Sequence, residues 1–163
     1  MRVTAVRGAS LQPVGRVDKG TRPLADAVWV LSGMTSNLRY TSSAEKRLLD
    51  ATPSILGRPT ATRAALIPIT KSAAWWVLAQ DERRAILEDQ SHHIAIGSKY
   101  LAAVSRQLVH CRDQAGAVFD FLTWFEFLPD DEPRFDELLA KLRASAEWRF
   151  VEREVDIRLE KRA

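Results

Sequence analysis

The chain has 163 residues, 46% of them apolar and 28% charged, with a formal net charge of +3. That suits one domain with a sizeable core, and the spread of the charge, without a basic stripe carrying interleaved aromatics, gives no reason to expect a nucleic-acid partner. One cysteine, Cys111, excludes an internal disulfide framework, three histidines make an all-protein zinc site a poor expectation, and no apolar run approaches the roughly 20 residues of a membrane span.

Residues 1–25 lack the continuous apolar core of a secretory signal and read as a polar, partly mobile arm, with a cytoplasmic location as the default expectation. Residues 26–163 then form a single domain. AVWVL at 27–31 predicts a strand ending near Gly33, and residues 42–49 predict a helix capped by a serine. After a loop rich in glycine and proline, AALIPI at 64–69 predicts a buried strand, with Pro68 placing its end near a sheet edge. A short helix is expected around SAAWWVLA, and one long helix over 81–104, which opens on Asp-Glu and contains no proline. Residues 106–111 and 119–128 read as strands, 136–144 as a helix and 148–159 as a closing strand with alternating polarity. The pattern predicts an α+β fold: ferredoxin-like halves in tandem, an antiparallel sheet or barrel with helices outside, and a truncated first half over 26–70.

All three histidines lie between residues 92 and 110. On a wheel of about 100° per residue, His93 shares a face with Ile86, Gly97, Tyr100, Leu101 and Val104, while His92 falls outside it. Either His93 is a core histidine satisfied by one hydrogen bond, or it meets a ligand. Gly97, one turn later, costs roughly 1 kcal/mol relative to alanine in a helix and leaves flat space beside the imidazole. On the next strand Arg106, Leu108 and His110 share one face, and in FDFLTWFEF the residues Phe119, Phe121, Thr123, Phe125 and Phe127 share another. An arginine entering such a face is either a paired structural group or a fixed charge for an anion.

The run H-x3-G-x2-YL-x4-R-x3-H from His93, followed by FDFLTWFE, resembles the haem-binding half of the chlorite dismutases. VWVLSGMTSNLRYTSSAEKR from residue 28, K-x3-WW at Lys71, Trp75 and Trp76, and the late SAEWRFV resemble the same family, so the likeness spans about residues 27–159. It implies haem b as cofactor and the conversion of chlorite to chloride and dioxygen through an oxoferryl/hypochlorite pair. It further implies His93 as the proximal iron ligand, Gly97 as clearance for the macrocycle, and Glu147 as acceptor for the other N–H of His93. Asn37, Tyr40, Lys71, Trp75 and Trp76 fall where the family holds the haem propionates and edge, with residues 71–163 as the haem-binding half. Arg106 matches the distal arginine, and Leu108, Thr123 and Phe125 match the remainder of a small apolar pocket that draws in chlorite and retains hypochlorite. The short first half resembles the lineage that forms homodimers. The alternatives are a coproheme decarboxylase-like or haem peroxidase member of the superfamily, or a non-enzymatic haem-binding dimer. Arg106 argues against both the decarboxylase and a gas-binding pocket.

Overall fold

The fold is given by a computed structural model that describes residues 1–8, 11–52 and 55–161. Strands β1 (Arg2–Gly8), β2 (Met34–Thr35), β3 (Arg63–Lys71), β4 (Ser105–His110), β5 (Phe121–Phe127) and β6 (Val151–Glu160) form one sheet in the order β1-β6-β3-β5-β4-β2. Every pairing is antiparallel. The sheet is open, with β1 and β2 at its edges.

Alternation along β3 divides the core. Ala65 and Ile67 face the front, where they meet Val104, Phe125 and Phe127, and the front is covered by helix α5 (Glu132–Arg143). That helix places Phe135, Leu138, Leu139 and Leu142 on one stripe at helical spacing. Pro133 sits in its first turn, where a missing N–H costs nothing, so the helix starts before the expected residue 136. Ala64 and Leu66 face the back with Leu122, Trp124, Ile157 and Leu159. Phe119 belongs to this back cluster, apart from Phe121, Phe125 and Phe127, because it precedes the regular pleat of β5.

The back face needs a cover, and the N-terminal segment supplies it. The stretch expected to be a mobile arm carries β1, which pairs with β6 from Arg2↔Glu160 to Gly8↔Val155. Leu11, Val14, Val17, Trp29 and Leu31 then pack on the back cluster. Residues 27–31 are therefore not the strand their composition predicts. They cross the back of the sheet, with Trp29 Nε1 donating to Gln12 O at 3.0 Å, and the strand forms later, at β2. Gly33 is required there: a Cβ would lie 2.3 Å from His110 O.

Pro68 also departs from expectation, since β3 is an interior strand between β6 and β5. It is tolerated because the ladder to β6 runs over Arg63–Leu66 and resumes only at Ile69, so no N–H is needed at that point. Helix α1 (Ser43–Ala51) has the expected serine cap as a full capping box between Ser42 and Glu45. Helix α2 (Ala73–Val77) is likewise capped by Ser72.

The long helix expected over 81–104 is broken. Helix α3 (Gln80–Arg84) passes into a π-helical turn over Ala85–Gln90, and His92 adopts a left-handed conformation at φ 53° before α4 (His93–Ser98) begins. Glu88 caps the new start: its carboxylate accepts from Ile94 N at 2.6 Å and Ala95 N at 3.1 Å. A buried carboxylate network pins the C-terminal strand, where Asp156 accepts from Arg143 at 3.0 Å and Arg158 at 2.6 Å.

Candidate functional site

A cavity of about 1130 Å³, counting its open mouth, lies between the front of the sheet and the helical layer. The helical wall carries Leu87, His93, Ile94, Gly97 and the α5 leucines; the sheet wall carries Ile67, Ile69, Arg106, Leu108, Thr123 and Phe125.

The two walls differ in polarity. On the helical side, His93 Nδ1 lies 2.5 Å from Glu147 Oε2, and Lys71 Nζ donates to Glu147 Oε1 at 2.6 Å. The carboxylate sits on a 3-10 turn over Ala146–Phe150, not in the closing strand, and that turn swings it inward. Ser91 fixes it there, its hydroxyl accepting from Glu147 N at 2.8 Å. The Glu147 and Lys71 side chains are 4% and 2% exposed. Burial pushes the Glu147 carboxyl up, but His93 and then Lys71 outweigh it and hold the group well below the usual carboxylate range. Burial acts on Lys71 in the opposite sense and lowers its pKa, against the attraction of Glu147. Lys71, expected at the propionates, is thus committed elsewhere: it neutralises the Glu147 carboxylate and lies 4.5 Å from the centroid of Trp75.

On the sheet side, Arg106 pairs in register with Phe125 and Leu108 with Thr123, which brings the four expected distal residues together on one wall. Burial lowers the Arg106 pKa, yet a guanidinium starts so high that it remains a cation.

The rim is built by the loop after β2. Asn37 Oδ1 accepts from Leu108 N at 2.7 Å, which ties the loop to β4. Tyr40, at φ 60°, packs edge-on to Trp75 with 6.0 Å between centroids. Tyr40 Oη and Trp75 Nε1 are buried with no hydrogen-bond partner among the described residues. Such orphan donors on a cavity wall are costly without a ligand. Trp76 is not at the cavity. Neighbours on a helix diverge by about 100°, and Trp76 instead stacks on the far side of Phe121 and donates to Asp120 at 3.2 Å. Gly97 lines the cavity, and a Cβ there would meet nothing within 4 Å.

His93, Gly97, Glu147, Arg106, Leu108, Thr123, Phe125, Asn37, Tyr40, Trp75 and Lys71 therefore converge on one cavity, and Trp76 does not. Sequence reasoning missed Ser91, Glu88 and Arg39. A continuous helix hides the first two. The polar run EDQS before the histidines is the signal that a new cap begins there.

The family profile described as chlorite dismutase matches residues 20–162. The chain belongs to the chlorite dismutase family. A dimeric chlorite dismutase from Nitrobacter winogradskyi is similar over 99% of this chain and 93% of its own, with 49% identity and a TM-score of 0.84. Chlorite dismutase structures from Candidatus Nitrospira defluvii are more distant. One, a mutant, shows 25% identity over 80% of this chain and 54% of its own, with a TM-score of 0.63. Another, in complex with imidazole, shows 27% identity over 74% of this chain and 48% of its own, with a TM-score of 0.58. The chain thus spans about half of these longer chlorite dismutases and nearly all of the Nitrobacter one.

The residues present fit a haem. The cavity offers a histidine backed by a buried carboxylate, an unfilled glycine face, and two orphan donors at the rim suited to carboxylates. Among the described residues no cluster of three or more His, Cys, Asp or Glu could hold a bare metal ion, and no helix is long and apolar enough to cross a membrane.

Proposed function

We propose that this chain binds haem b and converts chlorite to chloride and dioxygen, one of each per chlorite. The observation that carries this reading is the pairing of His93 Nδ1 with buried Glu147 in a cavity whose other wall bears Arg106. With Nδ1 engaged, Nε2 is the nitrogen left to ligate iron, and the carboxylate fixes the tautomer and raises the basicity of the ligand. Lys71 keeps that carboxylate charged in a buried setting, so the proton stays on His93 Nδ1. Tyr40, Trp75 and Asn37 hold the propionate edge, and Gly97 lets the ring lie flat. The haem, when bound, supplies the redox-active iron at which the O–Cl bond of chlorite is broken.

Arg106 does the remaining work of the protein. Its charge would draw the anion into a low-dielectric pocket and retain a chlorine-bearing anion there. Leu108, Thr123 and Phe125 exclude water and offer no general base, which this reaction does not need. Arg106 favours this reading over a decarboxylase or a gas sensor, neither of which needs a fixed cation there. The chain forms a homodimer, as the Nitrobacter protein does; light scattering should give twice 18.4 kDa. An oxygen electrode tests the activity: haem-loaded protein given chlorite should release dioxygen and chloride in equal amounts. Release of neither, from protein with a full Soret band, would overturn it.

A further inference from the structure

Arg39 belongs to none of the roles assigned above, although it lines the cavity. It also lines a shallow open groove formed by residues 35–39, and Asn37 is the other residue common to both. Arg39 therefore stands where the cavity opens to solvent. A turn holds it in place: Arg39 N donates to Ser36 O at 3.1 Å, Arg39 Nε donates to Ser36 Oγ at 3.2 Å, and the next residue, Tyr40, takes a left-handed conformation. A non-glycine residue seldom adopts that region, so the loop retains strain to keep this shape.

The guanidinium lies 5.8 Å from the Tyr40 centroid and 5.7 Å from that of Phe121. Its terminal nitrogens meet no carboxylate among the described residues. The neighbouring charges are committed: Asp120 accepts from Lys71 N, Trp76 and Arg112, Arg84 is paired with Glu45, and Lys71 with Glu147. Arg39 thus contributes a positive charge at the mouth that no carboxylate of the described residues pairs. Phe121, beneath it, is four residues along β5 from Phe125, which pairs with Arg106. At strand rise these two phenylalanines stand about 13 Å apart along β5, so the two cations sit at different depths of the cavity. They can act on an entering anion in succession.

We propose that Arg39 is the capture residue of the cavity mouth, which draws small oxyanions such as chlorite from solution and passes them inward to Arg106. The inference rests on the functional reading above. It predicts a role in the rate of entry and none in equilibrium retention at the inner wall.

Stopped-flow binding of nitrite, a stable oxyanion of the same charge and similar shape, to the ferric haem-loaded protein tests this. At an ionic strength of about 10 mM, Arg39→Gln should bind about three- to tenfold more slowly, and the difference should vanish near 300 mM. Dissociation should stay within about twofold of the original, and Arg39→Lys should restore most of the rate. Arg7→Gln, which removes the same charge from the opposite sheet edge, should match the unaltered protein. Equal association rates at low salt, an effect confined to dissociation, or loss of haem from Arg39→Gln would overturn the proposal, the last by making Arg39 a cofactor anchor. A haem-free arm keeps the two readings apart. Iodide, relative to neutral acrylamide, should quench the fluorescence of cavity residues Trp75 and Trp148 less in Arg39→Gln, and an unchanged ratio counts against capture. A chain that took up no haem would sink the functional reading, while this arm would still decide Arg39.

Discussion

The helical wall and the sheet wall of the cavity are built on opposite principles. The helical wall is a closed electrostatic unit, in which Glu147 is satisfied by His93, Lys71 and, through its backbone, Ser91. The sheet wall carries the Arg106 guanidinium beside Leu108, Thr123 and Phe125. A closed unit fixes the direction of one imidazole and resists change. A cation on a cavity wall lies within reach of an anionic ligand. The difference implies that damage to the first should be read in stability and cofactor affinity, and damage to the second in anion binding alone.

The largest effect is expected from Glu147→Ala, which strands the buried Lys71 ammonium. Breaking a buried pair by removing one partner costs about 3–5 kcal/mol, so urea denaturation should show a large loss. The double variant Lys71→Met with Glu147→Gln sharpens the comparison. It removes both charges together, so most stability should return, while haem affinity should still fall by about 10–100-fold because the imidazole has lost its carboxylate. Recovery of both properties would show that the carboxylate has no bearing on the ligand.

Arg106→Ala should do the reverse. Haem uptake should be unchanged, and anion affinity should fall by about one to two orders of magnitude, as loss of a charge-assisted contact worth about 1.5–3 kcal/mol implies. Hypochlorite should escape, so that a chlorination probe is modified faster per dioxygen released. Arg106→Lys should rescue only in part, because lysine lacks the planar fork. Haem loss in Arg106→Ala would erase the distinction between the walls.

Gly97 tests the space between them. Gly97→Phe should fold but refuse haem, whereas Gly97→Ala should keep haem and gain up to about 1 kcal/mol from better helix propensity. A thermal melt and a haem titration of each would show it. The smallest effect concerns the rim. Arg84 donates to Tyr40 O and pairs with Glu45, whose carboxyl is held at about 2, first by the hydrogen bond to Arg84. A depressed carboxylate pKa contributes stability above its unfolded value near 4.5, lost as pH falls towards 2. Because this pair is partly exposed, Glu45→Gln should cost under about 1 kcal/mol at neutral pH, and its melting curve should converge with that of the unaltered protein in acid.

Much of this was legible in the sequence, for identifiable reasons. The strands over AALIPI and FLTWFEF, the leucine stripe of α5 and the Ser42 cap are local patterns, and the sheet follows from them. The resemblance to the chlorite dismutases, carried by the run from His93 and by Lys71 and the Trp75-Trp76 pair, implied most of the residues that line the cavity. The failures share a cause. The first 25 residues and AVWVL are weakly patterned, and what they do is set by the need of the back face for a cover, a tertiary demand that local composition does not record. The break at His92 depends on a side chain, Glu88, reaching forward to cap a new helix. The role of Lys71 depends on Glu147, 76 residues away.

Both left-handed non-glycine residues among those described, Tyr40 and His92, immediately follow or precede a cavity residue: Arg39 in one case, His93 in the other. The break at His92 turns one histidine to solvent and its neighbour to the cavity. The adjacent histidines should therefore differ sharply. Haem titration of His93→Ala and His92→Ala, read as the ratio of Soret to protein absorbance, isolates that difference. His93→Ala should fold and fail to retain haem, while His92→Ala should bind it with the stoichiometry of the unaltered protein. Equal retention by the two variants would contradict this.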